Sequence, residues 1–185
     1  MIHLYTGDGK GKTTAAVGLC VRAAGQGMRV AFAQFMKGND TGEIHALEQL
    51  PGVKIFRSDR DFGFYRSMTD EQKRELTEIH DRILDALLRE MSEGNCDIMV
   101  LDEITYPVNW GLLDEKKLEA LLSFGKNGHE ESIAEENGRE QLPEIVMTGR
   151  NPSPQMLEIA DYITEMKMLR HPYERGVSAR RGIEY

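Results

Sequence analysis

Short apolar runs alternate with longer stretches of helical period along this chain. The runs begin at Ile2 and recur at Arg29 to Met36, Val53 to Phe56, Asp97 to Glu103, Glu144 to Thr148 and Tyr162 to Leu169, each of strand length. Between them, apolar residues fall on one helical face at Ala15, Ala16, Leu19 and Ala23, again from Ile44 to Leu50, and at Leu76, Ile79, Ile83, Leu84, Leu87, Leu88 and Met91. A further helix is predicted from a cap at Asp114 through Leu118, Leu121 and Leu122, stopping near Gly125. Gln26-Gly27, Pro51-Gly52 and Gly94-Asn95 punctuate the pattern, Thr69 to Gln72 has the form of a capping box, and Ser153-Pro154 reads as a helix start. This alternation predicts an α/β fold with a mostly parallel central sheet flanked by helices.

Composition changes that picture little. The 185 residues suit a single domain over 1–185. Lys126 to Gln141, with five glutamates and few apolar residues, reads as an acidic surface insertion. Residues 170–185 reverse the balance, with four arginines against two glutamates. Val177, Ile183, Tyr173 and Tyr185 give this basic tail surface to bury, so it is expected to be ordered and to fold back over the site. The net charge of −8 argues against a general nucleic-acid surface. No apolar run reaches bilayer length, and no charged-then-apolar leader precedes Ile2, so a cytoplasmic protein without membrane contact is expected. Cys20 and Cys96 have no metal-binding spacing and read as packing residues.

The chemistry starts where the first strand ends. Thr6-Gly-Asp-Gly-Lys-Gly-Lys-Thr-Thr14 matches the right half of the phosphate-loop pattern G-x-x-x-x-G-K-[ST], with Thr6 in the place of the first glycine and Gly7 one position late. Gly7, Gly9 and Gly11 permit close backbone approach, Lys12 neutralises phosphate oxygens, and the Thr13 hydroxyl suits Mg²⁺. The run from Gly7 through Asp8, Gly9, Lys10, Gly11, Lys12 and Thr13 to Thr14 is therefore the candidate nucleotide site. The strand ending at Asp102-Glu103 has the Walker B form, and those acids are the natural partners of Thr13 in holding Mg²⁺.

Other candidates are placed by strand ends, where open α/β sheets bind ligands. Gln34, Lys37 and the Gly38 backbone lie at the carboxyl end of one strand, Arg150 at that of another, and Thr105, Tyr106 and Asn109 lie beyond the Walker B acids. Lys37 and Arg150 either line the site or are simply solvated. In the loop Arg57 to Met68, the aromatics Phe62, Phe64 and Tyr65 either form a lid or platform for a flat ligand, or anchor the loop in the core. His80, on the edge of an apolar helix face, reads as a packing residue. No protein nucleophile or motif-tied base is evident, while Glu103 could activate water in a plain ATPase.

Together these blocks resemble the P-loop type of ATP:corrinoid adenosyltransferase. The resemblance rests on Thr6 to Thr14, Gln34-Phe-Met-Lys-Gly38, Val100-Leu-Asp-Glu-Ile-Thr-Tyr106, Thr148-Gly-Arg150, Ala160-Asp161, Glu165-Met166, His171-Pro-Tyr173, Gly176-Val177 and Gly182-Ile-Glu-Tyr185. It implies a RecA-like fold, a homodimer, and a reaction in which the Co(I) of a reduced corrinoid attacks the ribose 5′-carbon of ATP and expels triphosphate. The missing base then needs no substitute, since the protein has only to align reactants and stabilise the leaving polyphosphate. The resemblance further implies a nucleotide reversed in the loop, Lys12 as the main counter-charge, Thr13 and Glu103 with Asp102 organising Mg²⁺, and an electron donor such as a flavoprotein. It also implies that Phe64 and Tyr65 meet the corrinoid and exclude a lower axial ligand, although Arg66 stands where the family often has tryptophan. Two alternatives stand beside it: a P-loop ATPase or small-molecule kinase, which uses the same Lys12, Thr13 and Asp102, and a nucleotide-gated corrinoid carrier, which needs the aromatic loop.

Overall fold

Parallel strands covered on both faces need apolar side chains at consecutive positions, because successive residues point to opposite faces. The computed structural model, which describes residues 1–131 and 143–184, is built this way. Strands β1 (Ile2–Thr6), β2 (Val30–Gln34), β3 (Val53–Phe56), β4 (Ile98–Asp102), β5 (Glu144–Thr148) and β6 (Tyr162–Glu165) form one sheet in the order β3-β2-β4-β5-β1-β6. All its pairings are parallel. The central strands β2 and β4 are buried at every position.

Two helical layers close the sheet. Val30, Phe32, Ile98, Val100 and Val146 face α1 (Lys12–Gly25) and α2 (Gly42–Leu47), packing on Ala16, Cys20, Ile44 and Leu47. The alternate residues, among them Ala31, Ala33, Met99, Leu101, Ile145 and Met147, face α3 (Asp70–Ser92), α5 (Glu115–Glu131) and α6 (Pro154–Ile159). Thr69 and Gln72 make the expected capping box on α3. Both thiols are buried and free, and burial pushes Cys20 up to about 12 and Cys96 up to about 11, so neither ionises near neutral pH. Among the described residues no helix is long and apolar enough to cross a membrane.

Two local expectations change, and one short helix is added. Helix α5 does not stop near Gly125 but runs through Glu131, so the segment read as an insertion at 126–141 begins inside a helix. Gly125 serves close packing instead: a Cβ there would come 2.8 Å from Ile145 Cδ1 and 3.4 Å from Ile2 Cγ1. Residues 132–142 lie outside the described residues. The last strand ends at Glu165 rather than Leu169, because the Met166 N–H bonds Thr6 O at 2.8 Å and its carbonyl turns to the Gly9 N–H at 2.6 Å. A short helix α4 (Thr105–Asn109) follows β4; Pro107 is tolerated in its first turn, where an N–H has no intrahelical partner.

His80 ties α3 to the sheet. Its Nδ1–H donates to Leu112 O at 2.8 Å, which leaves Nε2 to accept from the Met36 N–H at 3.4 Å. The bond that Nε2 accepts requires the neutral ring, and burial pushes its pKa down to about 4, against the Leu112 carbonyl and Asp81. An unfolded histidine takes up a proton near 6.5, so the folded state loses stability as pH falls from about 6.5 toward 4, by up to about 3 kcal/mol. His80→Gln, which keeps one donor and one acceptor, is expected to flatten the melting temperature against pH over that window; an unchanged slope would exclude a buried neutral His80.

Candidate active site

At the carboxyl end of β1 the chain turns through the phosphate loop into α1. Gly11 has φ of 114°, in the left-handed region that favours glycine, and no side chain caps the helix behind it. The first N–H groups of α1 and the positive end of its dipole are therefore left for an anion. Lys12 is only 8% exposed, and its ammonium donates to the carbonyls of Gly7 and Gly9 at 2.7 Å each. Burial and then Arg150 lower its pKa, with Glu103, Asp8 and Asp102 opposing.

Gly7 and Gly9 answer to a constraint that the motif does not contain. A Cβ on either would come 2.5 Å from the Met166 carbonyl oxygen, so the end of β6 can press on the loop only if both are glycine. Asp8 accepts from the Met168 N–H at 3.1 Å, and Lys10 donates to Ile183 O at 2.7 Å. Thr14 is exposed. The tail thus folds back on the loop as expected, and Gly182 and Ile183 face Lys10, Gly11, Thr14 and Ala15 across an open cleft of about 590 Å³. Val177 and Ile183 nonetheless remain 41% and 54% exposed, contrary to the expectation that they are buried. The side chains of Tyr173 and Tyr185 lie outside the described residues.

Strand β4 carries Asp102 into the same end of the sheet, where it is fully buried. Its Oδ1 accepts from the hydroxyls of Thr13 at 2.9 Å and Thr148 at 2.7 Å; its Oδ2 accepts from Lys37 at 3.0 Å and Gln34 at 3.3 Å. These four donors occupy the carboxylate's usual hydrogen-bonding capacity. Glu103, next in the chain, has φ of 63°, and its N–H donates to Thr148 Oγ1 at 2.9 Å. That bend leaves Glu103 Oε2 buried with no hydrogen-bond partner among the described residues. Burial and then Asp102 raise the Glu103 pKa, with Lys37, Lys12 and Arg150 opposing.

A divalent metal fits here. The Thr13 hydroxyl gives its proton to Asp102 and, with Lys37 donating to it at 3.5 Å, keeps one lone pair free, and the unpaired Glu103 oxygen would supply a second ligand. Among the described residues no group of three or more His, Cys, Asp or Glu side chains is arranged for a metal, so substrate oxygens and water would complete the shell.

The remaining candidates divide. Lys37 enters the site. Burial works against its charge, but Asp102 and Glu103 outweigh burial and hold its pKa above the ordinary lysine value. Arg150 is exposed, yet near enough for its charge to bear on Lys12, Glu103 and Tyr106. Thr105 is buried beneath Gly149, and Asn109 donates to Asn151 O. In the aromatic loop the anchoring role is filled by Phe62 and Tyr65. Phe62 packs on the core, and Tyr65 stacks on Trp110 with centroids 4.3 Å apart and planes 10° from parallel, while Phe64 stands 86% exposed. Trp110 in turn lies 5.1 Å from Tyr106, so an aromatic row links the loop to the end of β4.

Sequence reasoning missed the site roles of Thr148 and Trp110 and the contact of the Met166 backbone. Thr148 and Met166 stood in two of the blocks that carry the resemblance, without a role of their own, and nothing in the sequence marked Trp110.

Comparison with known proteins agrees with this geometry. The model of the family described as ATP:corrinoid adenosyltransferase BtuR/CobO/CobP matches residues 1–185. The chain is 33% identical over 188 residues to the corrinoid adenosyltransferase of Escherichia coli strain K12, covering all of this chain and 85% of that protein. It is 33% identical over 187 residues to corrinoid adenosyltransferase CobA of Salmonella typhimurium, with 100% and 85% covered. For the corrinoid adenosyltransferase of Pseudomonas aeruginosa the figures are 29% over 187 residues, with 100% and 83% covered. A full-length match on a parallel sheet whose phosphate loop meets its Walker B acids leaves one assignment: the chain belongs to the ATP:corrinoid adenosyltransferase family.

Proposed function

We propose that this chain carries out its family's reaction with the β1 and β4 strand ends as its catalytic centre. Co(I) of the reduced corrinoid gives an electron pair to the ribose 5′-carbon of ATP. A cobalt–carbon bond forms, the bond from that carbon to the α-phosphate oxygen breaks, and its electron pair leaves with triphosphate. The observation that carries this reading is the meeting of Lys12, Thr13, Asp102 and Glu103 at one end of the sheet, with Asp102 accepting from Thr13 at 2.9 Å.

The protein's work is electrostatic and positional. The uncapped start of α1 and the Lys12 ammonium receive the triphosphate along Gly7 to Thr14. Thr13 and Glu103 would hold Mg²⁺, with Asp102 orienting Thr13 from behind, and Mg²⁺ would there supply positive charge to offset that of the polyphosphate. Phe64, exposed beside the stacked Tyr65 and Trp110, meets the corrinoid, and Arg150 lies at the rim. A separate donor such as a flavoprotein supplies the electron that makes Co(I). A homodimer is supported by apolar groups exposed on and after the edge strand β6, with Tyr162 and Ile163 at 51% and Leu169 at 88%. The two buried free thiols suit a reducing cytoplasm.

Phosphorus NMR of protein with MgATP and chemically reduced corrinoid is expected to show triphosphate, absent when corrinoid is omitted; ADP in both samples would make the protein an ATPase. Lys12→Ala is expected to lower transfer at least about a hundredfold with the melting temperature little changed. Turnover near the wild-type level would remove Lys12 from the triphosphate site. Phe64→Ala is expected to impair the reaction from Co(II) more than from Co(I), and equal losses would count against its exclusion of the lower ligand.

A further inference from the structure

The oxygens suited to the metal already face a cation of the protein's own. The Lys37 ammonium lies 3.0 Å from Asp102 Oδ2, 3.5 Å from Thr13 Oγ1 and 3.9 Å from Glu103 Oε1. Its backbone is gripped on both sides. Met36 is held at φ of 60°, uncommon for a residue other than glycine, and its N–H is bonded to buried His80. Gly38 is pressed on the loop before the aromatics, where a Cβ would come 2.1 Å from Arg60 O. The lysine can therefore leave the acids only by swinging its side chain.

A divalent ion on Thr13 and Glu103 would sit within a few ångströms of that ammonium, where like charges repel strongly because so little solvent screens them. We propose that Lys37 is a tethered counter-cation that competes with the divalent metal for Thr13, Asp102 and Glu103, and that metal binding expels its ammonium from the acids. The proposal rests on the metal site described above, and deepens it. The site is never left as a bare pair of acids, and metal without polyphosphate binds weakly. Metal with polyphosphate binds well, because the released ammonium finds phosphate oxygens in reach.

The test needs neither corrinoid nor turnover. Mn²⁺ binding, followed by electron paramagnetic resonance, is compared in the wild type, Lys37→Met and Lys37→Arg, each with and without tripolyphosphate. Without tripolyphosphate, Lys37→Met is expected to bind Mn²⁺ at least about tenfold more tightly than the wild type, and Lys37→Arg no more tightly. In the wild type, which does not depend on a variant folding, Mg²⁺ at a concentration that saturates the site without tripolyphosphate is expected to raise acetylation of Lys37 by an amine-directed reagent at least about threefold relative to Lys54, with modification read by peptide mass spectrometry. Equal or weaker Mn²⁺ binding by Lys37→Met, tight binding by Lys37→Arg, or unchanged labelling of Lys37 would each overturn the competition while leaving the metal site standing. If no form binds Mn²⁺ even with tripolyphosphate, the metal site fails and the proposal with it.

Discussion

The structure depends on a charge placed where a charge is costly. Asp102 ends β4 in the middle of a sheet covered on both faces, with no exposure to solvent. A carboxylate there is tolerable only if every lone pair is met, since an unpaired buried charge costs several kcal/mol. The partners come from four places: Thr13 from the start of α1, Gln34 from the end of β2, Lys37 from the loop beyond it, and Thr148 from the end of β5. Satisfying Asp102 therefore sets the mutual positions of three strand ends and the phosphate-loop helix. Those are the positions that the proposed chemistry uses, so on that reading stability and function share one network.

The same economy holds on the other side of the loop. The end of β6 closes on the phosphate loop through the Met166 main chain, and the tail follows through Asp8 and Lys10. Asp161 anchors this edge strand to β1, accepting from the Ile2 N–H at 2.7 Å and returning its own N–H to Ile2 O. Because β6 is exposed along its length, these backbone and carboxylate bonds, more than apolar burial, keep it in register. Polar and glycine positions near the chain's end thus matter to a loop near its beginning.

The far end of the site is built from rings. Tyr65, Trp110 and Tyr106 form a row from the aromatic loop to the strand end that carries Glu103, and Lys73 places its ammonium 5.0 Å from the Tyr65 ring centroid. Rings stacked in this way are rigid and leave Phe64 projecting from a fixed base. The ring that stands against Tyr65, Trp110, comes from a distant segment of the chain.

What the sequence determined by itself follows local rules. Strand length, helical period, caps and the two nucleotide motifs each depend on neighbouring residues, and they suffice for an α/β fold, for five of six strands within two residues, and for Lys12, Thr13, Asp102 and Glu103 as a set. Only the tertiary structure decided which strand ends meet. The order β3-β2-β4-β5-β1-β6 brings Thr148 to Asp102 across 46 residues and Lys37 across 65, and lays Met166 on Gly9. No local pattern marks a hydroxyl that accepts from one acid's backbone while donating to the other, or a glycine needed because another strand passes over it. Those roles arise from contact between segments far apart in the chain, and they exist only once the sheet has formed.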